Sequence, residues 1–178
     1  MGKIGVGLQT QDFIKSAKSL QEQARTQPKG TDQVLELNIG TRLVRNVRVE
    51  ASFRGSVWYS DESKERGGDG SAPGPLAYFL GAVGLGIITQ CSYEAAVRDV
   101  EIDEIAIAVK APLRRTPGSS FETISYETRM RGKATAETAE EIVRTAVKKS
   151  YITNTLKKGV RVTGKVVLND QPLPVIIE

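Results

Sequence analysis

The segment 76–98, LAYFLGAVGLGIITQCSYEAAVR, constrains this chain more than any other. Its length and character predict a long helix, and Pro75 suits the first helical turn. The 13 residues from Leu76 to Ile88 are apolar on every side. A helix of that kind is buried by the rest of the protein rather than laid on its surface. The run falls short of the ~20 residues needed to span a bilayer. Gly81, Gly84 and Gly86 each cost about 1 kcal/mol relative to alanine inside a helix. Three such costs predict close approach of another backbone.

The flanking sequence is read as what covers this helix. Residues 10–27 predict an amphipathic helix, with Phe13, Ala17, Leu20 and Ala24 on one face and Thr10 as N-cap. The stripe is thin, so this helix is expected to pack as an accessory on the main body or on a partner subunit. From Val34 the period becomes two. Leu35, Leu37 and Ile39 alternate with polar residues, and Gly40-Thr41 is read as a turn. Val47, Val49 and Ala51 alternate next, and Phe53 to Ser60 continues the pattern, as antiparallel strands with one solvated face require. Residues 61–75 form a charged loop rich in Gly and Pro. Strands are predicted at 103–110 and around Ile124 to Met130, and a second helix over 136–149 with Thr135 as its cap. Val160, Val162, Val166 and Leu168 predict a last strand, and the tail from Pro172 reads as extended. The order predicts an α+β fold, with helices lying on antiparallel sheet. Residues 1–33 are read as an N-terminal helical extension and 34–178 as the main domain.

Composition removes chemistry. Among 178 residues there is one cysteine, Cys91, and no histidine. An imidazole base, a Ser/His or Cys/His dyad and a His/Cys zinc site are excluded. One cysteine also forms no intrachain disulfide. No cofactor or metal is expected. The net charge of +4 is mild. The basic pairs Arg114-Arg115, Lys148-Lys149 and Lys157-Lys158 are scattered, with no aromatic platform beside them, so no nucleic-acid partner is expected. Gly67-Gly68-Asp69-Gly70 lacks the Lys-Ser/Thr end of a phosphate loop, and its acidic neighbours oppose an anion. Met1 to Leu8 does not read as a signal peptide. The expected location is cytoplasmic, with no membrane partner.

Three runs carry a family resemblance: SDESKERGGDGSAPGPLAYFLGAVGLG, VEIDEIAIAVKA, and RMRGKATAETAEEIVRTAVKKSYITNTL. Their order and spacing over about residues 47–168 resemble the OsmC-like family, which includes the organic hydroperoxide resistance proteins. The resemblance implies an OsmC-like α+β fold, with antiparallel sheets around a long central helix, assembled as an intertwined homodimer. It also implies a peroxidase with two cysteines, one on the central helix and one opening the later motif, assisted by a glutamate and an arginine. Here the implied positions carry Gly86 and Ser150. Leu76 and Ala77 stand where the glutamate is expected. Arg42, Arg45, Arg48 and Arg54 are all in the region of the arginine.

Three readings of function follow. The first is a family member without the two-cysteine peroxidase that binds a small apolar or mixed ligand at the dimer interface. On an ideal helix Phe79, Ala82, Gln90 and Tyr93 surround Gly86, so these five residues form the expected pocket. The second is a single-thiol hydroperoxide reductase using Cys91. That residue lies five positions beyond Gly86, about 140° around the helix, and reads first as a small core residue. The third is a structural, partner-binding dimer. Ser150 needs an adjacent base to be a nucleophile; only Lys148 and Lys149 are near it in sequence, and it reads as a helix-terminating hydroxyl.

Overall fold

The computed structural model describes residues 5–6, 8–28, 34–159, 164–168 and 171–177. Strands β1 (Gly5–Val6) and β2 (Gln9–Thr10) lead into helix α1 (Gln11–Thr26). The Thr10 hydroxyl accepts from the Phe13 N–H at 3.2 Å, which makes it the N-cap expected from the sequence. An antiparallel meander follows: β3 (Gly40–Arg45), β4 (Arg48–Phe53) and β5 (Ser56–Ser60). Its turns fall at Asn46, with φ of 52°, and at Arg54-Gly55, with φ of 47° and 85°. Glycine and asparagine take this left-handed region at least cost, which is why hairpins close there. The expected strand at 35–39 is irregular, and Gly40-Thr41, read as a turn, begins β3. The alternation of Leu35, Leu37 and Ile39 is real, but the turn residues of the pairing lie further along the chain.

Helix α2 (Pro75–Val97) has proline in its first turn, as expected. Strands β6 (Ile102–Lys110) and β7 (Ser125–Gly132) pair antiparallel, with Ile105, Ile107 and Val109 opposite Met130, Thr128 and Tyr126. Helix α3 (Ala136–Lys149) carries the predicted Thr135 cap, accepting from Thr138 N–H at 3.1 Å. A further helix, α4 (Tyr151–Lys158), was not anticipated. Strands β8 (Gly164–Leu168) and β9 (Gln171–Ile177) form a closing hairpin. Val160 and Val162, expected to begin that last strand, lie outside the described residues.

The core forms where α2 lies on the β6–β7 ladder and under α3. Val83, Ile87, Cys91 and Ala95 of α2 meet Ile102, Ile142 and Ala146, and Ile105, Ile107, Val109 and Met130 pack around them. Helix α1 covers the far end of α2: Ile14 and Ala17 join Ala96, and the Phe13 ring sits 5.2 Å from that of Tyr93. Gln9 Nε2 donates to the Ser92 carbonyl at 2.6 Å. The N-terminal extension is thus docked on the helix it accompanies. Within this chain, what approaches the α2 glycines is side chain. A Cβ on Gly84 would stand 3.0 Å from Ile107 Cγ2, while one on Gly81 would meet nothing within 4 Å.

The opposite face of α2 is open in this chain. Leu85 is 71% exposed and Tyr78 is exposed beside it, while Leu76 and Phe79 are exposed on the stripe that Val83 and Ile87 continue into the core. Leu43, Val44 and Val57 of the meander are likewise exposed. Of the described helices, α2 has the length and apolar composition to cross a membrane; here it packs on β6, α1, α3 and α4.

The loop between β5 and α2 is organised by one carboxylate. Asp61 is buried and accepts from the Ser71 N–H (3.0 Å) and hydroxyl (2.7 Å), the Glu62 N–H (2.9 Å) and the Asp69 N–H (3.2 Å). Gly68 passes so close that a Cβ there would lie 2.0 Å from the Glu62 carbonyl oxygen. The two Ser71 donors hold the Asp61 carboxyl down at about 2, with burial opposing and the Glu62 and Asp69 N–H groups adding to the effect. A carboxyl depressed on folding stabilises fully above its unfolded value, and that stability is lost as pH falls through the folded value. Asp61→Asn is therefore expected to lower the urea midpoint at pH 7. The gap to the wild type should close as pH falls from about 4 toward 2; a gap independent of pH contradicts this account.

Candidate functional site

Ser150 is where α3 and α4 meet. Its N–H still donates to the Ala146 carbonyl at 2.9 Å, but its backbone is extended, with φ −66° and ψ 117°. Its hydroxyl then accepts from Thr153 N–H at 3.3 Å and from Thr153 Oγ1 at 3.2 Å, capping α4. One residue thus ends one helix and starts the next, which swings α4 onto α2. Ser150 is buried as a result. A Cβ on Gly86 would stand 3.1 Å from Ser150 Oγ and 3.1 Å from Ile152 Cγ1. The two positions singled out in the sequence, 64 residues apart, are in contact.

The pocket expected from Phe79, Ala82, Gly86, Gln90 and Tyr93 does not form within the chain. Ser150 and Ile152 lie over Gly86, Tyr93 is engaged with Phe13, and Phe79 lines a different groove. The helical wheel placed these residues on one face correctly but could not reveal that α4 and α1 lie along it.

Cys91 is fully buried in the core. Burial, then the charge of Glu94, pushes its thiol up to about 11. The nucleophilic form is the thiolate, so at neutral pH this thiol is protonated and closed off. Of the two readings of Cys91, core residue and peroxide-attacking thiol, this environment is that of a core residue.

One turn along, Glu94 is a buried carboxylate that no local pattern in the sequence singles out. Lys149 Nζ donates to its Oε1 at 2.5 Å, and Arg98 donates to its Oε2. Burial pushes this carboxyl up, but the hydrogen bonds and charges of Lys149 and Arg98 outweigh it and leave it below the ordinary value. Lys149 is therefore committed to Glu94 and ties the end of α3 to α2. It is not a base for Ser150. The four candidate arginines all lie on the meander or its turns. Arg42 binds Glu50 through two hydrogen bonds, at 2.8 and 2.9 Å, and Arg45 reaches Asp69 at 3.1 Å. Arg48 and Arg54 stack over Tyr59 and Phe53.

An apolar groove of about 850 Å³ lies between the start of α2, the 111–124 segment and α4. Leu76, Phe79, Val83 and Ile87 form its floor at helical spacing, and the Phe121 ring faces Phe79 at 6.0 Å between centroids. Leu113, Ile124 and Leu156 complete the walls. The i, i+3, i+7, i+11 spacing of the floor was visible in the sequence. Its opposing wall was not, because an irregular segment and an unanticipated helix supply it.

Two outcomes test these environments. Cys91 in the folded chain is expected to resist Ellman's reagent and to react fully once denatured; rapid stoichiometric reaction of the native protein contradicts the buried-thiol account. Glu94→Ala leaves two cations without their acceptor and is expected to cost about 2 kcal/mol of unfolding free energy, below the range for a fully buried pair because Lys149 is half exposed. Chemical denaturation checks this, and an unchanged midpoint contradicts it.

The family model for OsmC-like protein matches residues 68–165, more than half of the chain. Solved structures agree on the fold. An OsmC-like protein from Mycoplasma pneumoniae superposes with a TM-score of 0.63 at 16% identity, covering 70% of this chain and 89% of its own. A hypothetical protein from Aquifex aeolicus gives 0.62 at 14%, covering 71% and 91%. An organic hydroperoxide resistance protein from Legionella pneumophila gives 0.56 at 18%, covering 71% and 92%. No curated protein matches the chain by sequence. The matched region spans the Asp61 loop from Gly68 onward, α2, the β6–β7 ladder, α3, α4 and the start of β8, and on that match this chain belongs to the OsmC-like family.

Proposed function

We propose that this protein is an OsmC-like chain without two-cysteine hydroperoxide chemistry, and that it holds a small apolar or mixed-polarity molecule instead. The observation that carries the first half is the contact between Gly86 and Ser150. These are the two positions at which the resemblance implies the attacking and resolving thiols, and two thiols that form a disulfide must meet. In the implied chemistry, a thiolate attacks the O–O bond, releasing an alcohol and leaving a sulfenic acid. The second thiol condenses with it, releasing water and forming the disulfide. Glycine has no side chain for the first step. Ser150 has a hydroxyl engaged in capping α4 and, among the described residues, no base bonded to it. Leu76 and Ala77 supply no carboxylate.

The second half rests on the apolar groove. We also propose a homodimer in the cytoplasm. The exposed Tyr78 and Leu85 of α2, on the side away from the groove, and the exposed apolar residues of the meander favour a second copy as the cover that such surfaces require.

Wild-type protein with an excess of dithiol reductant is expected to leave cumene hydroperoxide unconsumed; turnover that survives Cys91→Ser contradicts the proposal. The double variant Gly86→Cys/Ser150→Cys tests the correspondence of positions. The Cβ–Cβ separation, one C–O bond beyond the 3.1 Å contact at most, lies within the roughly 3.5–4.5 Å of disulfides. The oxidised double variant is expected to lose one H2 by intact mass and to resist alkylation there. If both introduced cysteines alkylate fully after oxidation, the two positions do not correspond to a thiol pair. Sedimentation of the wild type as a monomer contradicts the dimer.

A further inference from the structure

The apolar groove does not end at its apolar walls. It shares Tyr126, Val147 and Lys157 with a second cleft of about 700 Å³, which runs between β7 and α3. The chemistry changes along the way. Beyond the shared residues, Lys148 and Arg144 line the second cleft together with Thr128. Thr128 Oγ1 is buried there with no hydrogen-bond partner among the described residues. Unsatisfied buried hydroxyls are rare in folded proteins and mark a place where a partner is missing. Charge is unbalanced in the same direction. Glu140 is matched by Arg144, and Glu122, at the groove, by Arg114. Lys148 and Lys157 have no ion-pair partner among the described residues.

We infer that the two clefts form one site for a single-chain amphiphile with an anionic head, the fatty carboxylates being its chemical class. The chain lies along Phe79, Val83 and Phe121. The head lies between Lys157 and Lys148, within the cleft that holds the Thr128 hydroxyl. Burying an alkyl chain contributes about 0.8 kcal/mol per CH2. The two lysines make the head's charge worth retaining. The inference deepens the ligand-holding reading of the proposed function and rests on it. The site is separate from the Gly86–Ser150 contact, since it uses Thr153, Leu156 and Lys157 of α4 rather than Ile152.

Calorimetric titration of the full-length protein with dodecanoate, dodecyl phosphate and 1-dodecanol tests it. Dodecanoate is expected to saturate one site per chain, with 1-dodecanol weaker by about tenfold or more. Whichever anionic amphiphile binds tighter identifies the head group as carboxylate or phosphate. Lys148→Glu/Lys157→Glu is expected to lose dodecanoate affinity about tenfold or more while its thermal midpoint holds, since both side chains are exposed. Phe121→Asp should weaken all three ligands. Equal binding of alcohol and carboxylate, or a charge-reversed variant that binds as well as the wild type, overturns the inference. If neither anionic amphiphile binds while hydroperoxide still goes unconsumed, the ligand class falls and the loss of peroxidase stands. If hydroperoxide is consumed, that separate reading falls instead.

Discussion

An apolar helix must be covered on every side, and most of this architecture answers that demand on α2. One face is met by the β6–β7 ladder and α3, through Val83, Ile87, Cys91 and Ala95. The far end is met by α1, through Ile14 and Ala17 against Ala96. The glycines set how near each cover can come. At Gly84 the absent side chain admits Ile107, and at Gly86 it admits Ser150 and Ile152. Alanine at Gly86 would force the α4 side chains to give by a few tenths of an ångström, so the seating of α4 depends on that glycine.

Polar groups act as fasteners on this apolar frame. Asp61 gathers four donors and fixes the loop that delivers Pro75 to the start of α2. Ser150 turns α3 into α4, and Glu94 holds the junction through Lys149. Each is a buried acceptor, and Asp61 and Glu94 each take a donor from well beyond their own turn of chain, Ser71 and Lys149. Buried acceptors of this kind are costly unless satisfied, so they specify one arrangement of the elements they join. Cys91 is closed off from solvent by the apolar core around it, Ile87, Ala95, Ile102, Ile142 and Ala146.

The region around Gly86 and Ser150 is therefore packed within this chain. Concave surface lies on the other side of α4, where the floor is α2 and the wall is an irregular segment. A helix packed at one edge leaves its other edge free to line a groove, and α4 does both: Ile152 faces Gly86, while Leu156 and Lys157 face the groove.

Much of this was legible in the linear order of residues. Local rules placed α1 with its Thr10 cap, α3 with its Thr135 cap and α2 with its proline, since caps and periodicity act over a few residues. The β6–β7 alternation was legible for the same reason, and the family resemblance identified 86 and 150 as a pair. What local rules could not supply was register and contact. The Leu35–Ile39 alternation predicted a strand that does not form, because pairing is set by turns at Asn46 and Gly55. The wheel around Gly86 grouped five residues on one face, but only the fold shows that α4 brings Ser150 and Ile152 over that glycine. Glu94 carries no local signal in the sequence, and only its burial beside Lys149, 55 residues away, gives it a role. Sequence determined which residues can be helix, strand or core, because those choices are local. Tertiary structure alone decided which surfaces meet and which stay open, because that depends on the joint packing of segments far apart in the chain.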